Sequence, residues 1–384
     1  MQNQATKTPP KSNSEGHFCL WMLLLTIFEI VLVTVVLSRS FKTVVPSITP
    51  PPSNGEQQTE DNTPTGDPQP SIPVFAAGTT VPLPKSDSAT ATVTNEIGSR
   101  YAALIDAESG KILAGKNADT KFAPASMTKV MTLIVACEML NESDLEREII
   151  MTDEILRYVS SGAYYGTGRA AYEPGLKAKL KDMLYGIGVK SFSDCTVMTI
   201  ASLCPAATVE ESERLFVERM NQKVTDMGLL NTHFDNIVGH ESENNYSTAS
   251  DMAAIMSYAL QCPLIKDILS TQIHEYYVWR LEDDGVTYAR WKYTYYSTLF
   301  NSNPDPKSRS RIKAYEEEYK KKFALSSATF GGGKTGSLGE NVYTYSLVSY
   351  AVKDGKIYIL VTGETSHAYE VMYDAKVLYD TYVK

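Results

Sequence analysis

Histidine and cysteine are scarce in this chain of 384 residues, five of each. Neither is arranged for metal or redox chemistry. Cys19, Cys137, Cys195, Cys204 and Cys262 show no C-x-x-C spacing, so no zinc signature or disulfide framework is apparent. They read as small buried hydrophobes. No histidine sits in a Gly-x-Ser-x-Gly frame, which argues against histidine-based hydrolysis. A basic stripe is missing and the formal net charge is −9, which argues against a nucleic-acid binder. There is no internal repeat, and no cofactor is expected.

Only one long apolar run is present. Residues 18–37 contain just Thr26, Glu29 and Thr34 as polar members. That length crosses a bilayer and exceeds the usual apolar core of a cleaved signal peptide. The expectation is an uncleaved signal anchor behind a short cytoplasmic tail, residues 1–17. Lys7 and Lys11 before the run and Arg39 and Lys42 after it leave its orientation open. Residues 38–96 are rich in Pro, Thr, Ser and Gln, and ten of the 18 prolines lie between Pro46 and Pro84. Such a segment buries too little apolar surface to order itself and reads as a disordered stalk. Residues 97–384 then form the globular part.

Two apolar runs around Ala107-Glu108-Ser109-Gly110 predict a hairpin over 101–116. After Ser126 comes a helix with almost no polar face, which must be buried. Leu176, Leu180, Met183, Leu184 and Ile187 have helical spacing. Further helices are expected over 194–203, 210–227, from Ser247-Thr248 onward, and from His367 to the end. Residues 271–330 read as strands with a surface helix in the charged run 309–322. Two strands are joined by 353–356. Strands at both ends with helices between predict an α+β fold, an antiparallel sheet flanked by helices with a helical subdomain.

Three short motifs carry chemistry. Ser126-Met127-Thr128-Lys129 opens the buried helix. Unpaired N–H groups at such a start can hold a developing oxyanion. Lys129 lies one turn along on the same face, and desolvation lowers a lysine's pKa until it can take a serine's proton. The bland reading is an N-cap serine with a snorkelling lysine. Ser191-Phe192-Ser193 lies in a turn between helices. Gly332-Gly333-Lys334-Thr335-Gly336-Ser337 precedes the C-terminal hairpin; its small residues allow close approach, and Lys334 and Thr335 can bind a carboxylate.

In this order the motifs resemble the Ser-x-x-Lys, Ser-x-Asn and Lys-Thr-Gly set of penicillin-binding proteins. Pro124-Ala125-Ser126-Met127-Thr128-Lys129, Glu173-Pro174-Gly175, Asn231-Thr232-His233-Phe234 and the stretch from Tyr246 to Met252 extend the likeness over residues 97–384. The chain resembles the serine-type D-alanyl-D-alanine carboxypeptidases of low molecular mass. The resemblance implies that Ser126 is acylated, that Lys129 is its base and that Ser191 relays a proton to the leaving D-alanine. Lys334 would polarise Ser191 and, with Thr335, bind the substrate carboxylate. The backbone N–H groups of Ser126 and Ser337, beside Gly336, would form the oxyanion hole. The implied partners are peptidoglycan stem peptides, β-lactam antibiotics and, through the N-terminal helix, the cell membrane. The catalytic domain would lie outside the cytoplasm.

Two departures shape the expectation. Ser193 stands where the family carries Asn, so a shorter hydroxyl replaces an amide. The alternative reading is a non-catalytic wall-binding relative. Second, the chain stops after the helix that completes the catalytic domain, so the N-terminal anchor would replace a C-terminal tether. A β-lactamase would need Glu-x-x-Leu-Asn between the second and third motifs; at Leu230-Asn231 the matching position is Met227.

Overall fold

The run Ala102–Ile105 is apolar without alternation, and its strand is buried on both faces. In the computed structural model, which describes residues 78–282, 285, 287–299, 317, 321, 324–339 and 344–384, this run lies inside a six-stranded sheet. The strands are β1 (Ala91–Thr92), β2 (Tyr101–Asp106), β3 (Ile112–Lys116), β4 (Glu148–Ile150), β5 (Lys177–Lys179), β6 (Ile273–Leu281), β7 (Tyr288–Tyr296), β8 (Thr329–Leu338), β9 (Thr344–Lys353) and β10 (Lys356–Thr365). The large sheet has the order β1-β3-β2-β10-β9-β8, and the short strand β1 runs parallel to β3. A second sheet, β4-β5-β6-β7, is antiparallel.

The helices are α1 (Thr128–Glu138), α2 (Asp153–Val159), α3 (Leu180–Tyr185), α4 (Ser193–Leu203), α5 (Val209–Asp226), α6 (Ala249–Ala259), α7 (Pro263–Ser270) and α8 (Glu370–Tyr382). Alternation along the strands divides the core. Ala103, Ile105, Val348, Ile359 and Val361 face the layer that holds α1 and α6. Ala102, Leu104, Leu347, Ala351 and Leu360 face the opposite layer, against Val371, Ala375 and Leu378 of α8. Every residue of α1 except Glu138 is buried, as its apolar circumference requires.

The expected hairpin over 101–116, the strand pair around 353–356 and the helices near 194–203, 210–227 and 367–384 are all present. Thr248 caps α6 by accepting from the Asp251 N–H. Three expectations need correction. The helix predicted from Leu176 begins at Leu180, because residues 177–179 pair with β4 and β6. Leu176, Ala178 and Leu180 are all buried, so a period of two fits them as well as a helical one. The helix then closes with a π-helical turn, Gly186–Lys190. The single antiparallel sheet is in fact two sheets, the larger one mixed.

The stalk boundary also shifts. Val93 is buried and β1 is docked on β3, so packing begins before residue 97. The expected span at 18–37, the stalk up to residue 77 and nearly all of the charged run at 309–322 lie outside the described residues. Among the described residues no single helix is long and apolar enough to cross a membrane. Cys137, Cys195, Cys204 and Cys262 are free and buried.

Candidate active site

Ser126 sits in a 3-10 turn, Ala125–Met127, that feeds directly into α1. Neither helix start uses a side-chain cap, so Ser126 is not an N-cap residue. Ala125 before it has φ +52°, a left-handed conformation that costs a non-glycine residue about 1–3 kcal/mol. Lys129 does not snorkel: it is 2% exposed. Its Nζ lies 3.2 Å from Ser126 Oγ and donates to the Val238 carbonyl at 2.8 Å.

That carbonyl is held by a loop the sequence reading did not assign a role. Asn236 Oδ1 accepts from the N–H groups of Val238, Gly239 and His240. Thr132 of α1 donates to the Ile237 carbonyl at 2.7 Å. Gly239, at φ +81°, passes so close to Ala125 that a Cβ would stand 1.8 Å from its carbonyl oxygen. Only glycine fits there. Glu213 is buried behind the loop, where it accepts from Tyr164 and from the Ile237 N–H. A cavity of about 630 Å³ borders this side, lined in part by Tyr164, Glu213, Asn236 and His240.

The third motif forms the outer strand of the large sheet, β8. Gly336 brings it against the Ser126 turn; a Cβ would stand 3.0 Å from both Ala125 Cβ and the Pro124 carbonyl oxygen. Lys334 is fully buried and donates to the Thr335 carbonyl at 2.8 Å. Ser337 is exposed. Among the described residues neither Lys129 nor Lys334 has a carboxylate partner. Burial, and then the nearby Lys334 charge, hold Lys129 well below the usual lysine range. Burial brings Lys334 down to about 7.

Ser191 ends the π-helical turn with φ +64°. Its Oγ is buried with no hydrogen-bond partner among the described residues, as are those of Ser250 and Ser257. Ser193 opens α4, is 1% exposed, and donates its N–H to the Gly168 carbonyl. Phe192 packs edge-on against Tyr295 at 5.5 Å. Asp194 fixes this corner by accepting from the Ala170 and Ala171 N–H groups.

Thr298 ties the corner to the third motif. Its N–H donates to the Val189 carbonyl at 2.9 Å, and its hydroxyl meets Thr335 Oγ1 at 2.7 Å. A lone threonine in a tyrosine-rich stretch gives no sequence signal for such a role. The structure thus joins Ser126, Lys129, Gly336 and Lys334 directly. Ser191 and Ser193 are linked to them through Thr298 and Thr335.

In a fold of sheets flanked by helices, a serine thus stands beside a buried lysine at the start of a buried helix. The family model described as D-alanyl-D-alanine carboxypeptidase matches residues 87–303, more than half of the chain. The chain belongs to that family. The Lys334 motif lies beyond the matched stretch. D-alanyl-D-alanine carboxypeptidase DacF of Bacillus subtilis is 36% identical over 172 residues, covering 45% of this chain and 41% of the relative. DacA of Escherichia coli K12 is 32% identical over 153 residues, 40% of this chain and 36% of the relative. The chain thus spans about two fifths of the length of these curated relatives. The fold is similar to that of the Streptomyces K15 DD-transpeptidase, with TM-score 0.60 at 24% identity over 75% of this chain and 98% of that one. Penicillin binding protein 5 of Haemophilus influenzae gives TM-score 0.56 at 21% identity, over 74% of this chain and 71% of that one.

The depressed lysines set a pH signature. Below about pH 7 Lys334 is charged in both the folded and the unfolded chain, and its full burial cost is present. Between about 7 and the ordinary value of 10.5 only the unfolded chain holds the proton, so stability climbs with pH. One proton contributes at most about 1.4 kcal/mol per pH unit. Lys334→Met should flatten urea-unfolding stability measured from pH 7 to 9.5 by that share; an unchanged slope would contradict the assignment.

Proposed function

We propose that this chain is a serine DD-carboxypeptidase that removes the terminal D-alanine from peptidoglycan stem peptides through an acyl-enzyme at Ser126. One observation carries the reading. Two lysines are buried without a carboxylate partner among the described residues, and one of them stands beside a serine at a helix start. Burying cations costs stability unless they are paired or neutral. Their retention here is explained by chemistry rather than by packing.

The arrangement supports the following steps. The Val238 carbonyl takes one Lys129 N–H and holds the amine nitrogen 3.2 Å from Ser126 Oγ. Ser126 Oγ attacks the carbonyl carbon of the penultimate residue while its proton passes to Lys129 Nζ. Negative charge on the carbonyl oxygen is met by the backbone N–H groups of Ser126 and Ser337. Ser191, whose hydroxyl has no partner among the described residues, passes its proton to the leaving amine and is reprotonated by Lys129, which is left neutral for the next step. Free D-alanine departs, and water then cleaves the ester with Lys129 again acting as base. An extended peptide can lie along the outer strand β8 by backbone pairing. Lys334 and Thr335 bind its terminal carboxylate. Penicillin presents a reactive amide to the same serine.

The membrane anchor at residues 18–37 belongs to the same proposal, because the polymer lies outside the cytoplasm. Protease added to intact protoplasts should release the folded domain, and complete protection would reject this placement.

Labelling with a fluorescent penicillin, followed by peptide mapping, should place the adduct on Ser126. A label on Ser160 or Ser191, or none at all, would sink the assignment and favour the non-catalytic reading.

Ser193 should slow acylation relative to an Asn-bearing relative. A donor lost from a buried site costs on the order of 1–3 kcal/mol, roughly 5- to 150-fold in rate. Ser193→Asn should raise the acylation rate and Ser193→Ala should lower it. Equal rates for wild type and Ser193→Ala would show that Ser193 does not fill the Asn position.

A further inference from the structure

Helix α5 buries Val209, Glu213, Phe216, Met220 and Val224 along one stripe at helical spacing. All but one are apolar, and the pattern calls for an apolar side chain at position 213 as well. Glu213 stands there instead, 7% exposed. Burying a carboxylate costs stability unless it is paired and hydrogen-bonded. Among the described residues Glu213 has no cationic partner, since its neighbour Arg214 turns to Glu211 and Glu218.

The carboxylate holds the loop behind Lys129. Its Oε1 accepts from the Ile237 N–H at 3.3 Å. Its Oε2 accepts from Tyr164 at 2.7 Å and from Tyr158. Tyr158 belongs to α2 and Tyr164 to the 3-10 turn Gly162–Tyr164, so two further segments orient the carboxylate. Ile237 is fully buried, and its N–H has no other acceptor among the described residues. Its carbonyl accepts from Thr132 of α1 at 2.7 Å, so the residue is clamped between α1 and α5. The very next carbonyl, that of Val238, receives Lys129. Asn221, about two turns further along α5, grips the start of the same loop: it donates to the Phe234 carbonyl at 2.7 Å and accepts from the Phe234 N–H at 2.9 Å. Asn236 shapes the loop from within. Glu213, Asn221 and Thr132 fix where the loop stands against the helices.

We propose that Glu213, oriented by Tyr158 and Tyr164, is a positioning residue for acylation: by holding the Ile237 N–H it sets the place of the Val238 carbonyl, and hence of Lys129 Nζ beside Ser126. This role rests on the function proposed above. A carboxylate suits the position because it is acceptor-only and three donors converge on it. An aliphatic side chain would continue the apolar stripe but leave a buried N–H without an acceptor, which is costly. The loop regains an acceptor only by shifting, and a shift of the Val238 carbonyl carries Lys129 with it. Glu213 acts through the backbone rather than through its charge. Burial and Lys334 hold Lys129 low, with no carboxylate raising it.

The test follows labelling of the full chain in detergent by a fluorescent penicillin over a range of concentrations, which separates the dissociation constant of the first complex from the rate constant of acylation. Glu213→Leu should lower the rate constant about ten- to a hundredfold, since displacing a reacting group by about 1 Å can cost about a hundredfold. The dissociation constant should stay at the wild-type value, and labelling should still run to completion. Glu213→Gln keeps an acceptor for the Ile237 N–H, and the tyrosine hydroxyls can turn to accept from its amide, so it should restore most of the rate. A purely structural role would instead lower the labelled fraction and leave the rate constant of the labelled molecules unchanged; that result overturns the proposal. So does a wild-type rate constant in Glu213→Leu, or one in Glu213→Gln no higher than in Glu213→Leu. Should Glu213→Leu not fold, Tyr158→Phe combined with Tyr164→Phe removes what orients the carboxylate and should slow the same step, and an unchanged rate constant there overturns the proposal. If wild type itself is not acylated at Ser126, the proposed function falls and this role falls with it. If wild type is acylated and Glu213→Leu matches it, only the positioning role falls.

Discussion

Two lysine side chains are buried at the site without a carboxylate partner among the described residues, and the surrounding architecture follows from that constraint. Lys129 is dry because α1 is buried all around it, so no wet face exists toward which it could turn. Lys334 is dry because β8 packs against the Ser126 turn at Gly336. A carboxylate beside either lysine would relieve the cost. It would also hold the lysine charged and remove its capacity to accept a proton. The acceptors present are backbone carbonyls, those of Val238 and Thr335. These satisfy N–H groups without restoring an opposite charge.

Carbonyls used in this way must be held by something else, which explains the order in the surrounding loops. Asn236 gathers three N–H groups so that the Val238 carbonyl faces Lys129. Gly239 lets that loop touch the back of Ala125. Ala125 and Ser191 both take left-handed backbone conformations, one before the serine beside Lys129 and one at the unpartnered hydroxyl. Such conformations persist only where neighbouring packing over-determines them. The buried helix, the Asn236 loop and the Asp194 corner supply that packing.

What could be read from the sequence was set by how local the signal was. The buried helix, the Ser126–Lys129 spacing and the C-terminal strand pair rest on contacts within a few residues, and their patterns were legible. The stretch 176–187 misled because three buried residues fit two periods. Its strand character comes from pairing with Glu148–Ile150 and with Trp279, neither of which is local. The second sheet was hidden for the same reason: its aromatics alternate, but their partners are distant. The Val238 carbonyl carries no side-chain signature at all. Asn236 and Thr298 are ordinary residues whose importance lies in what they touch across the fold.

The departure at the second motif is best understood through β7. That strand carries Tyr295 on its inner face, where it joins Tyr172 and Tyr276 and supports Phe192 from below. Two residues past its end, Thr298 grips both the Val189 carbonyl and Thr335. Asp194 separately anchors the start of α4 to Ala170 and Ala171. None of these contacts uses the side chain at position 193. The left-handed turn at Ser191 is therefore secured independently of whether an amide or a hydroxyl follows two residues later. Replacing Asn by Ser removes a donor but leaves the turn, its unpartnered serine and the buried lysines in place. In physical terms the side chain at position 193 takes no part in holding the turn, so an exchange there does not dismantle the site.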